Sequence, residues 1–281
     1  MFMHAHNGIV HLKNDTMHYI RFGSGSKTLI MLPGLGDGLT TVKGTALPMA
    51  LMYRAYAHAY TVYMFSRRNH LPEGCDTRDM AHDLLEAMDI LGIEKADLIG
   101  VSMGGMIAQH FAADAPERVS KLVLVVSCAG QNSALASAIR EWTSLAERGD
   151  HTALMDSNVR SMYSDAYYRK HRLLIPIMGR LTKPRSYARF FTQAQACMTH
   201  DAAGRLAHIA APTLIIGGGL DRVLGAEASA ELAESIPGAA LHMYPQWGHA
   251  LYDEAKDFHQ VVLNFLLNAQ TPTSPAPHKS Q

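Results

Sequence analysis

Short, mainly apolar segments alternate with segments of helical periodicity along most of this chain. The apolar segments are residues 28–32, 60–65, 97–101, 121–126, 213–216 and 241–244. A strand that is apolar on both faces must be covered by other elements on both faces, and a parallel sheet with helices between its strands provides that cover. The alternation therefore predicts an α/β fold with a mostly parallel sheet covered by helices on both faces.

Two further patterns place elements around these strands. Residues 8–12 and 17–22 flank a turn at Asn14, which predicts an antiparallel hairpin at one edge of the sheet. Residues 77–91 and 103–113 carry apolar side chains at helical spacing, so each predicts a helix that crosses between strands.

One long segment interrupts the alternation. Residues 131–205 show several helical patterns and no strand pattern, although they lie between two predicted strands. We predict that they form a helical cap inserted into an α/β core made of residues 1–130 and 206–269. Residues 270–281 are rich in Pro, Ser and Thr and are predicted to be a disordered tail.

Composition excludes several classes of protein. Hydrophobic residues make up 48% of the 281 residues, and 25 basic residues balance 25 acidic ones, so the net charge is zero. This balance gives no overall field for nucleic acid or an anionic membrane, and we expect a small-molecule substrate instead. The sequence starts without a signal-peptide pattern and its three cysteines form no close pair, which predicts a cytoplasmic protein with reduced thiols. The oligomeric state is left open.

The stretch Gly100-Val-Ser-Met-Gly-Gly lies between the predicted strand 97–101 and the predicted helix 103–113. A sharp turn at Ser102 crowds the backbone, so the residues two before and two after it must be small, and Gly100 and Gly104 are. Such a turn exposes the serine hydroxyl at the carboxyl end of a strand, where parallel sheets bind ligands. It also directs the first amides of the helix toward whatever reacts there.

This G-x-S-x-G turn resembles the nucleophile elbow of the α/β-hydrolase family, and the resemblance runs from about residue 8 to residue 267. It implies a serine hydrolase with the order serine, acid, histidine. Asp221 follows the strand at 213–216 and His249 follows the last strand, so the resemblance implies Ser102 as nucleophile, Asp221 as acid and His249 as base.

Some members of the family place the acid after the preceding core strand. Ser127 and Cys128 occupy that place here, and neither is a carboxylate. Of the 16 histidines, His110, His242 and His259 are predicted to be ordinary helix or surface residues.

The resemblance also implies an oxyanion hole of two main-chain amides, those of Met103 and Leu35. Pro33 stands where the family commonly has histidine, which affects the family label more than the chemistry, because the donor is a backbone amide. A carboxylate at Asp37 would oppose the developing negative charge, so we expect it to face solvent or a basic partner.

The sequence determines the candidate catalytic residues more closely than it determines which bond they cleave. A serine nucleophile favours acyl transfer to water, and a small ester or lactone is the expected substrate. Thioesters, amides, carbon–carbon bonds beside ketones, enol-lactones that carry a carboxylate, perhydrolysis and a non-catalytic receptor of the same fold all stay open. We predict no cofactor and no metal, because residues 33–38 lack the Lys-Ser/Thr of a phosphate loop and His4 and His6 lack a third ligand.

The predicted cap carries an excess of positive charge. Between residues 150 and 205 there are nine Lys or Arg and four Asp. Part of this charge could meet a substrate carboxylate, but a solvated helix face is the expected arrangement. The aromatic and methionine side chains of this region are expected mainly in the cap core, and they are Trp142, Met155, Met162, Tyr163, Tyr167, Tyr168, Met178, Phe190 and Phe191.

Overall fold

The computed structural model describes residues 2–268, so the predicted tail at 270–281 lies outside the described residues. One sheet of eight strands forms the centre of the molecule, as predicted. Its strands are β1 His6–His11, β2 Thr16–Phe22, β3 Lys27–Leu32, β4 Tyr60–Arg68, β5 Ala96–Val101, β6 Val119–Val125, β7 Thr213–Gly218 and β8 Ala240–Tyr244. Their spatial order is β1-β2-β4-β3-β5-β6-β7-β8.

The strands β4, β3, β5, β6, β7 and β8 run parallel, and the hairpin β1–β2 adds to β4 in antiparallel orientation at one edge. The apolar character of the central strands follows from burial on both faces. In β6, Leu122 and Leu124 join the core on one face while Val123 and Val125 join the core on the other. This period of two is what a strand buried between two helical layers requires.

Eleven helices surround the sheet within residues 2–268. They are α1 Ala46–Met52, α2 Thr77–Ile90, α3 Met103–Asp114, α4 Ser133–Glu147, α5 His151–Met162, α6 Asp165–His171, α7 Ile175–Leu181, α8 Ala188–Met198, α9 Ala228–Ser235, α10 Leu251–Glu254 and α11 Phe258–Leu267. The predicted helices at 77–91 and 103–113 correspond to α2 and α3. An Asp76 capping box starts α2, where the Asp76 side chain accepts the amides of Arg78 and Asp79.

Five helices, α4 to α8, follow β6 and precede β7. They do not form a separate core, because Leu135 and Ile139 of α4 and Phe190 of α8 belong to the same buried cluster as α2 and α3. The segment 131–205 therefore packs on the sheet core, and its status as a distinct cap stays a prediction.

Two properties of the described chain bear on its chemistry. None of its helices is long and apolar enough to cross a membrane.

The thiols of Cys75, Cys128 and Cys197 are buried and unbridged, and burial raises the pKa of each to about 12. Thiols this far from ionisation are poor nucleophiles.

Candidate active site

Ser102 occupies a sharp turn between the end of β5 and the start of α3. Its backbone has φ 52° and ψ −119°, a strained conformation for a residue with a side chain. The Ser102 amide donates to the carbonyl of Val125 at 2.8 Å, which fixes the turn to β6. A Cβ on Gly100 would lie 2.5 Å from the carbonyl oxygen of Gly104, so the sequence must have glycine there for the turn to close.

The three residues that the family order implied lie side by side. The Ser102 hydroxyl is 3.0 Å from Nε2 of His249, and His249 Nδ1 is 2.8 Å from Oδ2 of Asp221. Asp221 lies in the loop after β7 and His249 in the loop after β8, and both side chains are buried. The fold thus brings His249 within hydrogen-bonding distance of the Ser102 hydroxyl, although 147 positions separate the two residues in the sequence.

Asp221 is held as a carboxylate. Its Oδ1 accepts the amides of Val223 at 2.8 Å and Leu224 at 2.9 Å. Burial by itself raises the pKa of Asp221, but its electrostatic interaction and hydrogen bond with His249, together with the two backbone hydrogen bonds, outweigh burial, and the net pKa lies below its ordinary value. An ionised Asp221 accepts Nδ1–H of His249 and so leaves Nε2 as the acceptor that faces Ser102.

Ser127, at the position where other family members place the acid, has a different role here. Its hydroxyl donates to the Ser102 carbonyl at 3.1 Å and accepts from the Gln109 amide at 3.2 Å. These contacts stabilise the strained turn at Ser102. Asp221 is the carboxylate that contacts His249.

The loop after β3 lies directly beside the serine. A Cβ on Gly34 would be 3.4 Å from Cβ of Ser102. Leu35 begins a 3₁₀ turn and Met103 begins α3, so both amides are first in a helical turn and lack an intrahelical acceptor. Within residues 2–268 neither amide donates to a protein acceptor, as two free oxyanion donors would require.

Asp37 is buried two residues beyond Leu35, and of the two expected environments the structure shows the basic partner. Arg189 of α8 places Nη2 at 2.7 Å from its Oδ2. The same oxygen accepts the backbone amide of Arg67 at 3.1 Å and the side-chain amide of Gln193 at 3.2 Å. The Asp37 charge is thereby compensated by one guanidinium and two amide donors.

Arg67 supports the same loop from the end of β4. Its Nη2 donates to the carbonyl of Pro33 at 2.5 Å, and its Nε and Nη1 lie buried without a partner among the described residues. Burial lowers the pKa of this guanidinium. Sequence reasoning missed Arg67, Arg189 and Gln193, because they come from distant parts of the chain and follow no motif spacing.

Ser102 opens into a cavity of about 410 Å³. Both Ser102 and His249 line it, together with the Pro33–Asp37 loop. The remaining wall is mainly aromatic and thioether, with Met31, Met49, Tyr53, Tyr56, Met64, Trp142, Met162, Tyr252 and Phe258. A second cavity of about 460 Å³, which we call the cap chamber, lies among α5, α6 and α7. The two share Gly36, Thr40, Asn158 and Met162 in their walls.

Six of the nine cap aromatics and methionines contribute to cavity walls. Trp142 and Met162 line the Ser102 cavity, and Met155, Met162, Tyr163, Tyr167 and Met178 line the cap chamber. Helical spacing could not separate the two roles, because a hollow between cap helices presents the same apolar faces as a filled core.

No lysine or arginine of the described residues lines either cavity. Arg169, Lys170 and Arg172 are exposed, while Arg189 pairs with Asp37. This placement favours the solvated face over a substrate carboxylate site. Among residues 2–268, no three His, Cys, Asp or Glu side chains gather in a way that could bind a metal ion.

Comparisons with known proteins identify the family of this chain. Residues 27–256 match the family model described as alpha/beta hydrolase fold. A 2-hydroxy-6-oxononadienedioate/2-hydroxy-6-oxononatrienedioate hydrolase from Paraburkholderia phymatum is 31% identical over 268 residues, covering 89% of this chain and 90% of the relative.

Solved structures show the same fold. An alpha/beta hydrolase enzyme from a Medee basin deep-sea metagenome library has a TM-score of 0.81 at 22% identity, over 95% of this chain and 99% of its own. The enol-lactonase from Burkholderia xenovorans has a TM-score of 0.77 at 20% identity, over 93% of this chain and 100% of its own. The chain is an enzyme of the hydrolase class, and it belongs to the alpha/beta hydrolase fold family.

Proposed function

We propose that this enzyme hydrolyses a small, uncharged carboxylic ester or lactone through an acyl-enzyme on Ser102. The observation that supports this most directly is the chain of contacts from Asp221 through His249 to Ser102, which opens into an apolar cavity. In this proposal Ser102, Asp221 and His249 are the catalytic residues, and the amides of Leu35 and Met103 form the oxyanion hole.

Acylation follows from the geometry. Ser102 Oγ attacks the ester carbonyl as His249 Nε2 takes the hydroxyl proton, and the Leu35 and Met103 amides stabilise the new oxyanion. The carbon–oxygen bond to the alcohol then breaks, and His249 gives its proton to the departing alkoxide. Asp221 stabilises the imidazolium throughout this step.

Deacylation repeats the sequence with water. His249 Nε2 removes a proton from the water as its oxygen attacks the acyl carbon, and the same two amides hold the second oxyanion. The bond to Ser102 Oγ breaks and His249 returns the proton to the serine. The products are the free acid and the resting enzyme.

The cavity wall supports an uncharged acyl group. A carboxylate placed there would lose its hydration and find no lysine or arginine in the described walls of either cavity. Burial of an unpaired charge is strongly unfavourable, whereas the aromatic and methionine side chains favour apolar carbon. We also propose residues 131–205 as the cap that sets this choice, because α5, α6 and α7 supply the cap chamber.

A second candidate comes from the relatives. The compound in the name of the Paraburkholderia phymatum hydrolase carries a ketone and two carboxylates, so its hydrolysis breaks a carbon–carbon bond beside the ketone. The identity of 31% over most of both chains favours this candidate. The absence of Lys and Arg from the described cavity walls disfavours it.

A matched pair of substrates tests the proposal. We expect kcat/KM for a short neutral p-nitrophenyl ester to exceed that for its analogue with a terminal acyl carboxylate by roughly 10- to 100-fold, the size expected for an unpaired buried charge. Arg169→Gln/Lys170→Gln/Arg172→Gln is the control and should leave the ratio unchanged. Faster turnover of a 2-hydroxy-6-oxo-dienedioate than of any ester would contradict the proposal and support the second candidate.

A further inference from the structure

One surface of the predicted cap is apolar and unpartnered. Leu173, Ile177 and Leu181 are 81%, 54% and 76% exposed, and their spacing of four places them along one side of α7 and its preceding turn. We call these three residues the α7 stripe. Aliphatic side chains seldom stand so exposed in a row unless the surface meets another apolar phase.

Basic residues border the α7 stripe at both ends. Arg169, Lys170 and Arg172 precede it, Arg180, Lys183 and Arg185 lie at its far end, and all six are exposed. Asp165 is the one acidic residue between positions 165 and 185. In the part of the chain that the structure describes, none of the six basic groups forms an ion pair, whereas Arg160, Arg189 and Arg205 of the same region each contact an aspartate.

We propose that the α7 stripe and its basic border dock this enzyme on an anionic phospholipid surface. The aliphatic side chains would enter the boundary between headgroups and acyl chains, while the flanking Lys and Arg would meet lipid phosphates. The net charge of the whole chain is zero, so it gives no indication that basic residues cluster around the α7 stripe. Docking of this kind needs no membrane-spanning helix.

Charge also decides between a lipid surface and a second copy of this chain. A twofold contact through the α7 stripe would bring two sets of six unpaired basic groups together, and like charges facing each other disfavour association. An anionic surface neutralises the same groups.

The segment that carries the docking surface also lines the cap chamber. Leu174, Ile175 and Met178 of the same segment line that chamber, which shares wall residues with the Ser102 cavity. Docking would therefore hold α7 and the cap chamber against the lipid phase. It is independent of the proposed ester hydrolysis, because it involves neither Ser102 nor His249.

Vesicle sedimentation with the full chain tests this proposal. We expect binding to phosphatidylcholine vesicles that contain phosphatidylglycerol, much weaker binding to phosphatidylcholine alone, and release as salt rises from about 0.1 M to about 1 M. Leu173→Gln/Ile177→Gln/Leu181→Gln should weaken binding at least about tenfold, since each loses most of a buried aliphatic side chain. Arg169→Gln/Lys170→Gln/Arg172→Gln should weaken it by roughly 10- to 100-fold and flatten the salt dependence.

Two controls make the outcome decisive. Ile9→Gln/Ile90→Gln/Leu241→Gln changes three exposed aliphatic residues on separate elements and should bind as wild type does. Ser102→Ala should also bind fully, which separates docking from catalysis, and the α7 stripe variant should still cleave a water-soluble ester. Wild-type protein that ignores anionic vesicles would overturn the proposal, as would equal binding by the α7 stripe variant. A wild-type dimer that this variant converts to monomer would show that a second copy covers the surface.

Discussion

Asp37 and Arg189 join the loop after β3 to the predicted cap through a buried ion pair, with Nη2 and Oδ2 2.7 Å apart. Asp37 follows Leu35 by two residues, so the helix that carries Arg189 also fixes the loop that presents the proposed oxyanion amide. Gln193, one turn further along α8, contacts the same carboxylate oxygen at 3.2 Å. Direct contacts therefore join the predicted cap to the loop of the proposed oxyanion amide.

We predict that Arg189→Gln lowers both stability and catalysis. Removal of Arg189 takes the ion-pair partner from the buried Asp37 carboxylate, which keeps only amide donors, and loss of one partner of a buried pair costs at most about 3–5 kcal/mol in the free energy of unfolding. The uncompensated Asp37 carboxylate would also oppose the oxyanion and lower kcat. Urea unfolding and ester kinetics measure the two effects.

Two further variants make this test specific. Asp37→Asn/Arg189→Gln should regain part of both losses, because it removes the unpaired charge. Arg160→Gln, which breaks the exposed pair with Asp156, should leave both quantities unchanged. Equal behaviour of Arg189→Gln and Arg160→Gln would show that the buried pair has no such role.

The turn at Ser102 depends on glycine at position 104. A Cβ there would overlap the carbonyl oxygen of Leu32, which is backbone and cannot rotate away. Gly104→Ala should therefore displace β3 or α3 and abolish most esterase activity, and it should lower the melting temperature by several degrees. Gly204→Ala is the matched control, since open space surrounds that position. Normal kinetics for Gly104→Ala would show that the elbow tolerates the added methyl group.

His200 makes stability depend on pH. Burial, and next the neighbouring His110, lower the pKa of His200 to about 4, although Asp76 and Asp201 oppose this shift. The unfolded chain binds this proton near pH 6.5 and the folded chain only near pH 4. Stability contributed by the neutral imidazole is therefore present above pH 6.5 and is lost as pH falls toward 4, by at most about 1.4 kcal/mol per pH unit.

Replacement of His200 tests that statement. His200→Asn should show a smaller loss of unfolding free energy between pH 6.5 and pH 4 than wild type. His208→Asn, at an exposed position, should keep the wild-type slope. Equal slopes for wild type and His200→Asn in chemical denaturation would rule out the buried imidazole as the source.

Asp221→Asn addresses the orientation of His249. An amide at this position can donate to Nδ1, which would place the proton on Nε2 and remove the acceptor that faces Ser102. We expect kcat to fall on the order of 10³- to 10⁴-fold with little change in KM. A loss that appears mainly in KM would indicate that Asp221 affects substrate binding instead.

The sequence predicted those parts of the fold and site that local patterns determine. Apolar runs such as 213–216 became strands because burial on both faces leaves no alternative, and the glycines around Ser102 marked the turn because only they fit it. Asp221 and His249 were predicted through the family order, since nothing in local spacing shows that residues 28 positions apart will meet.

The rest depended on three-dimensional packing. Arg67, Arg189 and Gln193 converge on Asp37 from β4 and α8, and each alone looks like an ordinary polar residue. Helical spacing likewise could not tell that Met155 and Tyr167 face a hollow, because an amphipathic pattern defines an apolar face and not what fills the space beyond it.

Covalent labelling tests most directly whether Ser102 is the nucleophile. The full chain would be treated with a fluorophosphonate, and the modified residue would be located by mass spectrometry of its peptides. We predict one adduct, on Ser102, with no labelling of Ser102→Ala and much slower labelling of His249→Gln. An adduct on a different serine of the wild-type protein, or undiminished labelling of Ser102→Ala, would contradict the account.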